Sequence, residues 1–249
     1  MSLLREQDAA GLDLFLREHV DDAVGKVHGP NLPEPHPYSG DVSSLPTQPP
    51  EPQGHLVLLR HGETEWSKSG QHTGTTDLPL LPEGEEAARR VAKLLQGWTF
   101  DKVVVSPLQR ARRTAELAGL TEYTIDPRLV EWDYGGYEGL TTKEIRARLG
   151  YMWTVFDNGV VPGETPGETV EAVAARASGV LRDLLPTLEN GNVALVGHGH
   201  CLRILATVFL RTEVRMGAQL LLDAGSISIL EWEREQPAIR TWNQKSLSH

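Results

Sequence analysis

Reactive and cationic side chains follow three short apolar runs, at 56–59, 103–105 and 193–196. Directly after these runs come Arg60 and His61, then Ser106 and Arg110, and last His198 and His200. Arginine presents a planar set of donors that suits phosphate oxygens, and a histidine among arginines is a nucleophile or hydrogen-bond donor more readily than a metal ligand. The pair His198 and His200 alone could suggest a metal site, but arginines repel a divalent cation, so we expect no metal. The pattern predicts an anion-binding site with a reactive histidine.

An alternation of strands and helices would position these residues. Predicted strands lie at 55–60, 102–106, 192–198 and 226–233, and predicted helices lie at 81–95, 107–119, 169–188 and 199–210. Strands separated by long helices pair in parallel, which brings their carboxyl ends to one edge of the sheet. The sequence therefore predicts an α/β fold, a three-layer sandwich with a mostly parallel central sheet and helices on both faces. The alternating last strand predicts one solvent-exposed face, and we expect segment 140–168 to be a helical insertion over the sheet edge.

Two further segments precede the predicted domain. The spacing of apolar residues between Leu12 and Val24 predicts an amphipathic helical extension within residues 1–29. Residues 30–52 contain eight prolines, so we interpret 30–53 as an extended proline-rich linker. The main domain is then predicted at 54–249. The helix could dock on that domain, mediate a homodimer or have no essential role.

The overall composition narrows the range of partners. A net charge of −10 argues against nucleic acid or an anionic membrane surface as the main partner, although a few arginines can still bind a small anion. The single cysteine, Cys201, excludes an internal disulfide and fits a reducing compartment. The first residues lack the basic start and apolar core of a signal peptide, and no stretch approaches a membrane span. We expect a cytoplasmic protein.

Five ordered motifs between residues 55 and 230 resemble those of a known family. They are LLRHGETEWSKSGQHTGTTDLPLLPEG from 58, SPLQRARRTAE from 106, EWDYGGYEGLTTKEI from 131, PGETVEAVAAR from 166 and LVGHGHCLRIL from 195. In this order they resemble the histidine phosphatase superfamily, also called the phosphoglycerate mutase-like family. An Arg-His-Gly tripeptide alone would be weak evidence, whereas five motifs in family order are specific.

The resemblance implies a role for each catalytic residue. His61 would attack phosphorus and form a phosphohistidine, while Arg60, Arg110 and His198 would hold the phosphoryl oxygens. Glu131 would protonate the leaving alcohol and then accept a proton from the attacking water. The arginines would supply the positive charge, so the resemblance implies neither a metal nor another cofactor.

Two of these roles have rivals in the sequence. His200 could take the place of His198, and Asp133 lies two residues after Glu131 and would point to the same side of an extended segment. The family motifs favour His198 and Glu131.

The substrate would be a small phosphorylated molecule. We expect it to meet Ser67, Thr73, Gly74, Tyr134 and Gly199. Ser67 and Thr73, together with Lys68, could contact the part of the substrate beyond its transferred phosphate, since they follow the nucleophile along the chain.

The acceptor of the phosphoryl group separates a phosphatase from a mutase. Cofactor-dependent phosphoglycerate mutases have asparagine where this chain has Ser67 and lysine where it has Thr142, although Lys143 is adjacent. Their insertion has paired arginines, whereas segment 140–168 offers Arg146 and Arg148. These departures favour the phosphatase branch whose members include sugar bisphosphatases and actinobacterial acid phosphatases. A mutase is the first alternative, and a module that binds phosphorylated ligands without turnover is an alternative from another class.

Overall fold

A computed structural model of the chain describes residues 52–234 and 236–245. The predicted helix within 1–29 and nearly all of the predicted linker 30–53 lie outside the described residues, so both stay predictions. Every helix in the described part of the chain is too short or too polar to span a membrane.

A six-stranded mixed sheet forms the centre of the domain, with the strand order β3-β2-β4-β1-β5-β6. The strands are β1 (Leu56–Arg60), β2 (Lys102–Val105), β3 (Thr124–Ile125), β4 (Val193–Gly197), β5 (Ile227–Glu233) and β6 (Gln236–Gln244). Strands β1 to β4 pair in parallel, whereas β5 pairs antiparallel with both of its neighbours, β1 and β6. The predicted α/β architecture is confirmed. Strand β6, which we did not predict from the sequence, pairs antiparallel with β5 and forms one edge of the sheet.

Seven α-helices connect and cover the strands in the described ranges. They are α1 (Glu65–Ser69), α2 (Pro82–Leu94), α3 (Gln109–Leu117), α4 (Thr142–Leu149), α5 (Val155–Asn158), α6 (Val170–Leu188) and α7 (Gly199–Phe209). Their starts follow local chemistry: α2 begins at a proline, and α6 is capped by Thr169, whose hydroxyl accepts from the Ala172 N–H at 3.1 Å. The cap fixes the position at which the chain enters α6.

Successive side chains of the central strands enter two separate cores. Leu56 and Leu58 of β1 pack on the side of α6 and α7, whereas Val57 and Leu59 pack on the side of α2 and α3. This alternation is the period of two of a β-strand with both faces covered. Two apolar layers therefore hold the sheet rigid beneath the loops at its carboxyl edge.

The prediction that β5 has one wet face is wrong for its first four residues. Residues 227–230 are all buried, because β5 lies between β1 and β6 with both of its faces covered. The polar Ser228 among them accepts a hydrogen bond from the Asn243 N–H on β6 at 3.0 Å, which offsets the cost of its burial.

A third apolar cluster forms under the insertion. The short helices α4 and α5 occupy the segment predicted to be helical, and Trp132, Trp153 and Phe156 pack there with Tyr134 and Ile204. This cluster joins the insertion to α7 and fixes the loops on one side of the carboxyl edge.

Candidate active site

His61 lies in the loop that follows β1, with only 4% of its surface exposed. Its backbone N–H donates to the Gly197 carbonyl at 3.0 Å, which joins the ends of β1 and β4. Its Nδ1 lies 2.7 Å from the Gly62 carbonyl. Because a carbonyl only accepts, we assign the proton of the neutral ring to Nδ1, which leaves a lone pair on Nε2.

The surroundings of His61 keep its ring neutral. Burial lowers the pKa of His61 well below its ordinary value of 6.5, and the charges of Arg110 and Arg60 lower it further, against a smaller opposite effect of the Gly62 carbonyl. No hydrogen-bond partner of Nε2 exists among the described residues. The structure therefore provides a neutral nucleophilic nitrogen close to two cations.

Close backbone packing fixes the loop that carries His61. A Cβ atom on Gly62 would lie 2.3 Å from the Gly84 carbonyl oxygen of α2, so only glycine fits at this position. The Gly62 N–H also donates to the Thr114 hydroxyl of α3 at 3.0 Å. Helices α2 and α3 thus hold the turn after β1 in place.

An inner group of three fully buried side chains, Ser106, Arg110 and His198, lies behind His61. Arg110 Nε donates to His198 Nδ1 at 3.2 Å, and His198 Nε2 lies 2.7 Å from the Ser106 hydroxyl oxygen. A guanidinium cannot accept, so His198 Nδ1 is the acceptor and its Nε2 carries the proton toward Ser106. The rings of His61 and His198 lie 5.1 Å apart between centroids. The strand ends thus bring His61, Arg110 and His198 together as the sequence predicted.

Arg110 also holds the loop at 73–76. Its Nη1 donates to the Thr76 carbonyl at 2.8 Å, and its Nη2 reaches the carbonyls of Thr73 and Gly74 at 3.1 Å each. Gly74 is closely packed, since an added Cβ would lie 2.5 Å from the Trp132 carbonyl oxygen, and its N–H donates to Glu138. Gly74 and Arg110 therefore shape the site from behind rather than from its surface.

A cavity of about 180 Å³ opens in front of His61. The predicted site residues that border it are Arg60, His61, Ser67, Thr73, Glu131, Tyr134 and Gly199. Gly74, Arg110 and His198 are not among the residues that border it, so contacts of Arg110 and His198 with a phosphoryl group stay predictions. The charge of Arg110 nevertheless lowers the pKa of His61.

Arg60 has a buried donor without a partner. Its Nη1 donates to the Leu222 carbonyl, whereas its Nε is buried and lacks any hydrogen-bond partner among the described residues. A Cβ on Gly199 would approach Arg60 Cζ to 3.3 Å, so glycine permits the guanidinium to lie against the start of α7. Buried donors are rarely left unpaired, and this one belongs to a residue that borders the cavity of His61.

Glu131 is held at the start of α7. One carboxylate oxygen accepts from the N–H groups of Trp132 and Cys201 at 2.8 Å each, and the other accepts from the His200 N–H at 3.0 Å. Glu131 borders the same cavity as His61. An acid or base at this place can exchange a proton with a group bound between the two.

The structure separates Glu131 from its rival Asp133. The Asp133 carboxylate accepts from the Gly135 N–H at 2.9 Å, from the Gly167 N–H at 3.2 Å and from the Thr165 hydroxyl. It therefore binds the loop before α6 and does not border the cavity. The two carboxylates therefore bind different parts of the structure, whereas a fully extended segment would have placed them on one side.

Arg176 holds the backbone of Glu131 and of the residues just before it. Its Nη1 donates to the carbonyls of Arg128 and Val130 at 2.6 and 2.8 Å, and its Nη2 donates to the Glu131 carbonyl at 3.1 Å. Its Nε pairs with Glu168 at 2.8 Å. Both residues stand in the PGETVEAVAAR motif, but nothing in the sequence connects this motif to the loop that carries Glu131.

An outer group of four side chains, His72, Tyr134, His200 and Arg203, forms the far wall of the cavity. The Tyr134 hydroxyl lies 2.6 Å from His200 Nδ1, and the rings of His72 and Tyr134 lie 4.7 Å apart between centroids. Burial lowers the pKa of His72 to about 4 and the pKa of His200 well below 6.5. The two histidines are therefore neutral, which leaves Arg203 as the cation of this group.

Two members of the outer group were missed in the sequence. Arg203 stands four residues after Gly199 on α7, a spacing that places both on one side of a helix, and this signal could have identified it. His72 had no comparable signal. His200 was considered as an alternative to His198, but the structure places His200 at the cavity and His198 in the buried inner group.

The hydroxyl of Ser67 takes part in local structure. It accepts from the Thr64 N–H at 2.8 Å and donates to the Thr64 carbonyl at 3.1 Å, which caps α1. The exposed Lys68 pairs with Glu83. Contacts of Ser67, Thr73 and Lys68 with a substrate stay predictions, and no group of three or more His, Cys, Asp or Glu side chains within 52–234 and 236–245 could hold a metal ion.

Known proteins are similar in sequence to most of the described chain. Residues 56–245 match the family described as histidine phosphatase superfamily, branch 1. An acid phosphatase of Mycobacterium tuberculosis is 38% identical over 180 residues, which are 72% of this chain and 86% of that protein. A sedoheptulose 1,7-bisphosphatase of Saccharomyces cerevisiae is 34% identical over 61% of this chain and 66% of that protein. A 2,3-bisphosphoglycerate-dependent phosphoglycerate mutase of Azorhizobium caulinodans is 33% identical over 72% of this chain and 97% of that protein.

A solved structure from Mycobacterium tuberculosis superposes with a TM-score of 0.72 at 35% identity. The superposition covers 78% of this chain and 98% of the solved one. The fold and the enzyme class that the motifs implied are confirmed. The chain belongs to the histidine phosphatase superfamily, branch 1.

Proposed function

We propose that the chain is a metal-independent phosphomonoesterase that acts through a phosphohistidine on small sugar phosphates or bisphosphates. The observation that carries the proposal is the neutral His61, with its Nδ1 proton held by the Gly62 carbonyl and its Nε2 left without a partner among the described residues. Such a nitrogen is ready to attack an electrophile without first losing a proton. The adjacent guanidinium of Arg60, with its unpaired buried Nε, favours phosphate as the electrophile.

The first step would transfer the phosphoryl group to the protein. His61 Nε2 attacks phosphorus, the bond from phosphorus to the ester oxygen breaks, and Glu131 gives its proton to the leaving oxygen. Arg60 binds the phosphoryl oxygens directly, while Arg110 contributes its charge from the inner group. Loss of one such cationic contribution costs about 10²- to 10³-fold in rate.

The second step would return His61 to its starting state. Glu131, now a carboxylate, takes a proton from water, the water oxygen attacks phosphorus, and the bond to Nε2 breaks. Free phosphate leaves and His61 is neutral again, with Glu131 protonated for the next cycle. Three backbone N–H groups keep the carboxylate in place through both steps.

Features of the insertion support water as the acceptor rather than a second phosphorylated acid. Lys143 and Arg148 are exposed, and the Arg146 Nε donates to the Trp153 carbonyl at 2.9 Å. None of the three borders the cavity. The paired cations that a mutase needs for its second anionic end are therefore not supplied by this segment, and mutase activity is the alternative that the test must address.

The test measures release of free phosphate in EDTA by the full chain and by a His61→Ala variant. The substrates are sedoheptulose 1,7-bisphosphate, fructose 1,6-bisphosphate, 3-phosphoglycerate and p-nitrophenyl phosphate. We expect release by the unchanged chain in EDTA and a loss of at least about 10⁴-fold in the variant, because the covalent route is removed.

Three other outcomes would count against the proposal. Release that stops in EDTA would contradict metal independence. If 3-phosphoglycerate were isomerised in the presence of 2,3-bisphosphoglycerate faster than any substrate was hydrolysed, the chain would be a mutase. Absence of both reactions, with binding of phosphate retained, would favour the non-catalytic module.

A further inference from the structure

Arg203 is a cation of the cavity wall to which the proposed reaction assigns no role. Its Nε donates to the Gly217 carbonyl at 2.7 Å, its Nη2 donates to the Ala218 carbonyl at 2.8 Å, and its Cζ lies 4.9 Å from the centre of the Phe156 ring. These contacts fix the plane of the guanidinium. Its Nη1 has no hydrogen-bond partner in the described part of the chain, although Arg203 borders the cavity.

The cavity has two cationic side chains, which is enough to bind more than one anionic group. Arg60 and Arg203 both border it and repel each other, while Glu131 is the carboxylate that faces them. The neighbouring histidines His72 and His200 are neutral and so cannot balance either guanidinium. A transferred phosphate at His61 would be bound by Arg60, which leaves Arg203 for a different part of the substrate.

His200 adds a polar donor beside Arg203. A phenol is a stronger acid than a neutral imidazole N–H, so we assign the Tyr134 hydroxyl as donor to His200 Nδ1 at 2.6 Å. The proton of neutral His200 then lies on Nε2, where it can donate to an oxygen in the cavity. The outer group therefore combines a fixed cation with a neutral donor, which suits an anionic oxygen.

A second cavity next to the site is less suited to an anion. It has a volume of about 510 Å³ and shares Arg60 and Ser67 with the first, but Glu63, Glu83 and Asp223 border it. Two further cations, Arg90 and Lys245, lie there, and Lys245 is paired with Asp223 at 2.9 Å. A second anionic group on the substrate would meet three carboxylates on that side, whereas Glu131 is the carboxylate that faces Arg203 in the first cavity.

We propose that Arg203, together with His200, forms a subsite for a second anionic group of the substrate, so that the preferred substrates are phosphomonoesters with a further phosphate or carboxylate. This inference rests on the proposed function, since it names the substrate class of the same site. It makes Arg203 a residue that decides specificity rather than one that takes part in phosphoryl transfer.

The test compares substrates with and without a second anion in Arg203→Gln and Arg203→Lys variants. The probes are fructose 1,6-bisphosphate, 3-phosphoglycerate and p-nitrophenyl phosphate, so that the first two distinguish phosphate from carboxylate. The ratio of kcat/KM for fructose 1,6-bisphosphate to that for p-nitrophenyl phosphate should fall about 10- to 100-fold in Arg203→Gln, since a charged hydrogen bond is lost. Arg203→Lys, which keeps the charge, should retain most of the ratio.

Arg215→Gln is the matched control. Arg215 is exposed and pairs with Glu171 at 3.1 Å, away from the cavity, so this variant should leave the ratio unchanged. The melting temperature of each variant shows whether loss of the Gly217 and Ala218 contacts has unfolded the chain.

A second measurement separates this inference from the proposed function. In the His61→Ala background, calorimetry should show that Arg203→Gln weakens binding of fructose 1,6-bisphosphate far more than binding of inorganic phosphate. Equal weakening of both would place Arg203 at the transferred phosphate and overturn the inference, and so would an unchanged ratio in the folded variant. Failure of the unchanged chain to hydrolyse any ester would instead contradict the proposed function and leave the binding comparison intact.

Discussion

The inner group of Ser106, Arg110 and His198 differs from the outer group in how its polar atoms are used. In the inner group, the donors bind one another and the carbonyls of 73–76, and all three side chains are fully buried. In the outer group, Arg203 keeps a donor without a partner among the described residues, and every member borders the cavity.

The difference indicates a division of labour. Strand ends and the helix starts beside them supply the inner group, so its geometry follows from the sheet and its charge acts on His61 whatever the substrate is. The outer group comes from the loop after α1, from the loop before α4 and from the first two turns of α7. Loops of this kind can vary without disturbing the sheet. Changes to the inner group should therefore affect all substrates alike, and changes to the outer group should affect their ranking.

The largest effect is expected for the acid that lies between the two groups. Glu131→Gln should lower kcat about 10²- to 10⁴-fold for esters with poor leaving groups, because the amide cannot transfer a proton. Asp133→Asn is its matched control and should lose less than about 10-fold, with a lower melting temperature, because Asp133 holds the loop before α6. Steady-state rates and thermal melts of both variants check this. A larger loss of kcat in Asp133→Asn than in Glu131→Gln would reverse the assignment.

Removal of the inner cation should affect every substrate by a similar factor. We expect Arg110→Ala to lower kcat/KM about 10²- to 10³-fold for sugar bisphosphates and p-nitrophenyl phosphate alike. Arg113→Ala on the same helix should have little effect, since Arg113 is exposed and pairs with Glu85 at 2.8 Å. A loss confined to one class of substrate would contradict the division between the two groups. Arg110→Lys, which keeps the charge, distinguishes the electrostatic effect from disruption of the 73–76 loop.

A smaller effect is expected where Arg176 positions Glu131. Arg176→Ala should lower kcat about 10- to 100-fold with little change in KM, because the acid loses its alignment while the cavity keeps its cations. Arg182→Ala provides the control, since Arg182 is exposed on the same helix. A rise in KM as large as the fall in kcat would instead indicate a general loss of structure. The pH profile of kcat should also change in Arg176→Ala if the residue acts through Glu131.

Stability should fall at acid pH through His61 and the histidines of both groups. The pKa values of His61, His198 and His200 lie well below 6.5 and that of His72 is about 4, so these rings stay neutral in the folded chain. As the pH falls through 6.5, the unfolded chain takes up protons that the folded chain does not. Each such ring then lowers the free energy of unfolding by up to about 1.4 kcal/mol per pH unit.

Urea unfolding between about pH 7.5 and 5.5 measures this dependence. His72→Phe removes one of the four titratable side chains while keeping an aromatic ring beside Tyr134. The free energy of unfolding of this variant should therefore change less with pH. A stability that rises on acidification would show that these rings become charged in the folded chain, contrary to the burial that the structure shows.

Several features could be predicted because they depend on neighbours in the sequence. The apolar runs and their period identified β1, β2, β4 and β5, Pro82 and Thr169 marked the starts of α2 and α6, and the motif order gave the family. Parallel pairing then placed His61, Arg110 and His198 at one edge of the sheet, because parallel strands end on the same side.

Tertiary structure alone decided which polar atoms are free. The sequence does not show that Arg110 donates to His198 and to the carbonyls of residues 73–76. Nor does it show that the Asp133 carboxylate accepts from Thr165, because all these partners are distant along the chain. The same applies to Arg203, whose free donor follows from where Gly217 and Ala218 place their carbonyls. Residue types and their spacing determined the chemistry available to this protein, whereas long-range packing determined which side chains face the substrate, since hydrogen-bond directions are set only when separate segments meet.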